Sequence, residues 1–184
     1  RGGRILVSGH GGTLISVDKK TGKELGRMDA KGWTFPARIT PDSTIYAVST
    51  VSFRNNFLYT PIAETDFLAH YRALLPALRP ELVLIAETAD QPVGFIFAVP
   101  DLKQAERAHP IDTVIVKTLA VLPERAHAGL GGLLLAVCQR TARELGYLRA
   151  IHALMHDQNA SRSLSRHYAH PMRRYALFGK ALEA

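Results

Sequence analysis

Residues 119–135 read LAVLPERAHAGLGGLLL. An apolar run, Leu119 to Leu122, stops at Pro123. A polar stretch with Arg125, Ala126 and His127 follows. Then come Gly129, Leu130, Gly131 and Gly132, and at once a leucine-rich run. This order predicts a buried strand, a loop and a helix. The first four N–H groups of a helix have no partner inside it, and the helix dipole adds positive charge there. Such an end is a ready anion site. Glycine removes the Cβ that would hold a phosphate away from the backbone. The glycines thus read as a pyrophosphate cradle, or alternatively as positions that permit tight helix packing.

Two familiar phosphate motifs are excluded. No lysine follows the glycines, as a Walker loop requires. A dinucleotide fingerprint would need a third glycine where Leu134 stands. Its acid about 20 residues further on is also missing, the nearest being Glu144 and Asp157.

Downstream, Leu134, Val137, Cys138, Thr141 and Leu145 share one helical face, and Gly146 caps it. YLRAIHALM (147–155) reads as a strand. NASRSLSRHYA (159–169) reads as a short helix with Asn159 at its start, and RRYALFGKAL (173–182) as a last strand. Upstream, STIYAVSTV (43–51) reads as a strand. ETDFLAHYRALLPAL (64–78) reads as an amphipathic helix ended or kinked by Pro76. ELVLIAE (81–87) and PVGFIFAVP (92–100) read as a hairpin, and DTVIVKTLAVLP (112–123) as a long strand. The expected class is mixed α/β: a central, mostly antiparallel sheet flanked by helices over residues 42–184, with an N-terminal β-segment over 1–41.

That first segment, with ILVSG, TLISVD and KELGRMD, reads as three antiparallel strands. Its Gly11, Gly12, Asp18, Thr21 and Gly22 resemble one blade of the quinoprotein-type β-propellers. No second copy exists, and one blade cannot bury its own faces.

The chain has 184 residues, 47% of them apolar and 21% charged, the balance of a soluble globular domain. The longest uncharged apolar run, Ala128 to Cys138, is too short for a bilayer. Cys138 is the only cysteine, so no internal disulfide can form and a cytoplasmic location is expected. The net charge of +7 is concentrated in residues 1–41, with eight basic against three acidic residues. The remainder is nearly balanced, which speaks against a nucleic-acid partner. One stretch after Asp157 holds no acid until Glu183, yet carries Arg162, Arg166, Arg173, Arg174 and Lys180.

Taken together, VIVKTLAVLP, the arginine, GLGG and the following helix resemble motif A of the GNAT superfamily of N-acetyltransferases. The stretches FRNNFLYTPI, RAIHALMHDQNASR and RRYALF resemble one bacterial branch of it. The resemblance covers about three quarters of the chain. It implies acetyl-CoA as acetyl donor, a primary amine as acceptor, direct attack in a ternary complex, no metal and no membrane partner; exposed sheet edges make a homodimer plausible. It also implies that the pantetheine arm lies along the strand at Leu119, Ala120 and Val121, and that the pyrophosphate meets the 126–132 loop. A departure is Ala126, which stands where the motif usually has Gln or Arg, while Arg125 is one residue earlier.

Acetyl transfer to an amine is helped by a base, by donors to the developing oxyanion and by an acid for the leaving sulfur. The resemblance assigns the oxyanion donor to the Val121 N–H. Tyr168 is the candidate acid, nine residues after Asn159 where the family spaces seven, with Tyr175 as its alternative. The candidate bases are His156 and then His152, since imidazole titrates near pH ~6.5; a structural role for either histidine is the alternative. In a regular strand they share a face with Leu154, where relatives carry a Glu. Asn159 is expected on the CoA arm, a role compatible with capping. Two other functions stay open: an inactive acyl-CoA-binding module and a propeller-repeat fragment.

Overall fold

The computed structural model describes residues 4–9, 13–18, 24–29, 41–56, 59–72, 78–88, 91–124, 127–157, 159, 161–176, 178, 180 and 181. Three strands come first: β1 (Arg4–Gly9), β2 (Thr13–Asp18) and β3 (Glu24–Asp29). Helices α1 (Pro41–Phe53) and α2 (Glu64–Arg72) follow. Next are β4 (Val83–Thr88), β5 (Gln91–Pro100), the short α3 (Lys103–Glu106) and β6 (Thr113–Val121). The last elements are α4 (Leu130–Glu144), β7 (Arg149–His152) and α5 (Ser161–Arg166).

The strands form one sheet in the order β3-β2-β1-β4-β5-β6-β7. All neighbours are antiparallel except β6 and β7. A parallel pair needs a crossover, and α4 supplies it. The sheet is therefore mixed and mostly antiparallel, as expected. The three N-terminal strands form the expected meander. Through β1 it continues onto the edge of β4 rather than standing apart.

Alternating side chains divide the core between two faces. Leu84, Ile96, Val114 and Val116 pack against Leu130, Leu134, Val137 and Cys138 of α4. On the other face Phe95, Phe97 and Ala120 pack against Ile45 and Val48 of α1, with Phe67 of α2 at the margin. Phe67 also meets the Tyr46 ring edge-on, at 5.3 Å between centroids. Burial pushes the Cys138 thiol up to about 12, as befits a core cysteine.

Two expected elements are corrected. Residues 43–51 are helical, not a strand. Pro41 is pre-set for a first helical turn, and Ile45, Val48 and Ser49 fall at helical spacing and are buried. Burying that stripe outweighs the few tenths of a kcal/mol per residue, roughly, that β-branched residues cost a helix. Residues 173–182 form no strand among those described. A strand needs a ladder partner, and none pairs with them there; Tyr175 and Phe178 are exposed. Helix α3 was not anticipated. Residues 73–77, with Pro76, and the turn residues 89–90 lie outside the described residues.

Candidate active site

The site is built on a defect in β6. Phe97 pairs with Thr118 and Ala98 with Val116, so Lys117 is an extra residue, a β-bulge. Before it, even-numbered carbonyls face β7: Asp112 accepts from Leu148 N–H at 2.7 Å and Val116 from Ala153 N–H at 3.1 Å. After it the parity is reversed, since Leu122 N–H donates toward β5, to Val93 O at 2.9 Å. Leu119 and Val121 therefore turn their backbone groups away from β5. On that side β7 has already ended at His152, and Leu154, with φ of 34°, turns the chain away. Ala120 instead pairs with Phe95 and buries its methyl on the α1 face. The Val121 carbonyl accepts from Ser52 Oγ of α1 at 3.2 Å.

The parallel pairing of β6 and β7 is pinned at its start. The Arg149 guanidinium grips both Asp112 oxygens, at 2.6 and 2.9 Å. Gln104 and Thr113 donate to the same carboxylate at 2.7 and 2.8 Å. Arg149 first, then Gln104 and Thr113, hold the Asp112 carboxyl well below the usual carboxylate range.

The two strands then diverge into an open cleft of about 210 Å³. Its walls include Val116–Leu119 of β6, His152–Met155, Asn159, and Ser161, Leu164 and Ser165 of α5, with Phe53 and Asn56 at the α1 end. Past Val121 the chain leads to α4. Gly129 has φ of 84°, and among the described residues no side chain caps the helix there. A Cβ at Gly129 would meet nothing within 4 Å. One at Gly132 would meet only Leu164, at 3.7 Å. At Gly131 a Cβ would lie 3.2 Å from Leu164 Cδ1, so this glycine also serves packing against α5. Leu130 buries its side chain in the core while its amide belongs to the uncapped first turn.

His127 ties the loop back, its Nδ1 lying 3.3 Å from Leu122 O, which can only accept. Arg125 and Ala126 lie outside the described residues. Asn159 Oδ1 accepts from Ser161 N–H and Oγ–H, both at 3.0 Å, so it shapes the start of α5 while lining the cleft. His152 also lines the cleft, with Gln139 Nε2 at 3.2 Å from its Nε2 and Ser165 Oγ at 2.8 Å from its Nδ1. Burial lowers its pKa from the usual histidine value.

The expected face shared by His152, Leu154 and His156 does not form, because β7 stops at His152. His156 and Tyr168 are exposed, and neither lines the cleft. Sequence reasoning missed Ser165, Gln139 and the bulge at Lys117. No motif marks them; Ser165 lies six residues after Asn159, one short of the family's spacing of seven and three before Tyr168. Among the described residues no group of His, Cys, Asp and Glu is arranged to hold a metal, and no helix is long and apolar enough to cross a membrane.

Acetyl-CoA fits this arrangement: a free strand edge at Leu119 and Val121, and an uncapped glycine-rich helix start with space above Gly129 and Gly132. The profile of the acetyltransferase (GNAT) family matches residues 49–167, and the chain belongs to that family of acetyl-CoA-dependent N-acetyltransferases. Among solved structures, it is similar to the aminoglycoside antibiotic 6'-N-acetyltransferase AAC(6')-Ih from Acinetobacter baumannii. The TM-score is 0.55 at 19% identity, with 79% of this chain and 96% of that one covered. It is also similar to AAC(6')-Iy, solved with the bisubstrate analog CoA-S-monomethyl-acetylneamine: TM-score 0.55, 15% identity, 77% and 92% covered. An aminoglycoside acetyltransferase from an uncultured soil metagenomic sample, solved with sisomicin, gives 0.51 at 15% identity, with 76% and 87% covered. At these identities the likeness speaks for the fold. No curated protein matches the chain by sequence. None of these comparisons supports the resemblance of the first forty residues to a propeller blade.

Proposed function

We propose that this protein transfers the acetyl group of acetyl-CoA to a primary amine by direct attack, with both substrates bound at once. The observation that carries the reading is the divergence of β6 and β7 at the Lys117 bulge, on a path that ends at the uncapped start of α4. Acetyl-CoA supplies the activated thioester. In this reading Leu119 and Val121 offer backbone groups to its arm, and Asn159 its side-chain amide. The amides around Gly129, Leu130, Gly131 and Gly132 take the pyrophosphate, with His127 and Arg125 beside them. The Val121 N–H faces the developing oxyanion. His152 belongs to the reacting end. His156 and Tyr168 stand outside the lining, so the amine's proton passes to solvent through the open mouth. In this reading residues 42–184 are the catalytic domain, and β1 to β3 of residues 1–41 extend its sheet through β4.

The walls of the same cleft also bear on the acceptor's charge. The lining holds Lys117 and, among its described residues, no carboxylate. Such a site favours a neutral or anionic amine over a polycation.

Calorimetric titration of acetyl-CoA into the full chain, followed by thiol-release assays over a panel of primary amines, tests the reading. Micromolar binding with transfer supports it. Binding without transfer to any amine leaves an acyl-CoA-binding module. A folded protein that does not bind sinks it.

A further inference from the structure

Three residues from three elements form a directed chain of donors that starts behind the cleft wall at Gln139 and ends in it at His152 and Ser165. Gln139 of α4 presents its amide nitrogen to His152 Nε2 at 3.2 Å. An amide NH2 only donates, so His152 Nε2 accepts. A neutral imidazole then carries its hydrogen on Nδ1, which lies 2.8 Å from Ser165 Oγ and donates to it. Partial burial favours that neutral form. Ser165, having accepted, has its own hydrogen left to give. A helical hydroxyl often gives it to the carbonyl four residues back, as Thr50 does to Tyr46 at 3.0 Å. Ser165 makes no such bond among the described residues, and it lines the cleft beside His152, which pairs with Val116 where β6 and β7 part.

We infer that Ser165 is a catalytic hydrogen-bond donor to the departing sulfur, its direction set by two positioning residues, His152 and Gln139. The inference rests on the reading of the cleft as the acetyl-CoA site. As the carbon–sulfur bond breaks, its electron pair goes to sulfur. Ser165 donates a hydrogen bond to that sulfur and keeps its proton, while the amine's proton leaves separately to solvent. A donor already oriented in the folded protein favours the charged form at no reorganisation cost. Lys117 is the other ionisable side chain among the described lining residues, and its charge is common to the wild type and the variants compared below. His152 is thus no base in this scheme: its lone pair is covered by Gln139.

Two measurements on the full chain test this. The first is the 15N spectrum of the His152 ring in the free protein. Hydrogen on Nδ1 is expected, and hydrogen on Nε2 overturns the inference. The second is the titration of the thiol of bound CoA, labelled with 13C beside the sulfur, in the wild type and in Ser165→Ala and Ser165→Thr. The expected result is a bound thiol more acidic than that of free CoA. Its pKa should rise by about one unit in Ser165→Ala, as for the loss of one hydrogen bond to an anion. It should be restored in Ser165→Thr, with CoA affinity at low pH changed less than about threefold. Equal thiol pKa values in the wild type and Ser165→Ala overturn the inference alone. A wild-type chain that binds no CoA overturns the reading of the cleft itself.

Discussion

The Ala153 N–H donates to the Val116 carbonyl at 3.1 Å, and among the described residues this is the last rung between β6 and β7. Everything proposed for the cofactor follows from where that rung falls. Beyond it the backbone groups of Leu119 and the Val121 N–H face an edge without a strand among the described residues, while Thr118 and Ala120 stay in the ladder with β5.

Proline substitution separates these roles. Leu119→Pro removes an N–H from the free edge and spares the β5 ladder. It should weaken acetyl-CoA binding threefold to about tenfold, as for one net hydrogen bond. Ala120→Pro removes a ladder bond instead and should lower stability by about 1–3 kcal/mol. Titration calorimetry and denaturant melts of both variants check the contrast.

The glycines before and within α4 should respond in opposite directions. Gly129 has φ of 84°, so Gly129→Ala should cost about 1 kcal/mol through backbone strain, with no clash to relieve. Gly132 lies inside the helix with room for a methyl group. Gly132→Ala should therefore gain up to about 1 kcal/mol of stability. If the helix start takes the pyrophosphate as proposed, it should also weaken acetyl-CoA binding, because the added methyl group crowds the backbone there. Chemical denaturation paired with binding isotherms reads both effects.

Asp112 sets an acid limit. Its folded pKa is depressed by Arg149, Gln104 and Thr113. Its contribution is therefore present above the unfolded value near 3.8 and is lost as pH falls through the lower folded value. The melting temperature of the wild type should fall more steeply below about pH 4 than that of Asp112→Asn. Parallel slopes in the two proteins would remove Asp112 from this role.

Cys138 should be silent in the native protein. It is fully buried and its thiol is pushed up to about 12. An aromatic disulfide reagent at pH 8 should titrate no thiol until denaturant is added, and then one per chain.

Acceptor charge can be read kinetically. With Lys117 in the lining and no carboxylate among its described residues, a carboxylate-bearing amine should exceed a polyamine of similar size by about tenfold or more in kcat/KM, a difference of about 1.4 kcal/mol. Lys117→Glu should narrow or invert that ratio. A wild-type preference for polyamines would refute the electrostatic reading.

Much of the architecture could be read from local pattern. The strand, glycine loop and leucine-rich helix around residues 119–135 appear where the sequence places them, because a period of two gives way there to a period of 3.6. The hairpin of β4 and β5 and the meander of β1 to β3 are equally local. Residues 43–51 misled, because alternation and β-branching suggest a strand when no neighbour is in view. Packing of Ile45 and Val48 on Phe95 and Phe97 favours the helix that Pro41 begins.

The site divides along the same line. The sequence alone determined the glycine-rich helix start, since backbone freedom and helix polarity are properties of short segments. It also marked His152 and Asn159 as residues beside the cleft. Tertiary structure decided the rest. Whether Leu119 or Ala120 faces the free edge depends on one extra residue at Lys117, visible only against the register of β5. Likewise, His152 changes from candidate base to link in a donor chain because Gln139 and Ser165 meet it from separate helices. Hydrogen-bond direction depends on which groups meet, and segments distant in the chain meet only once the sheet has formed.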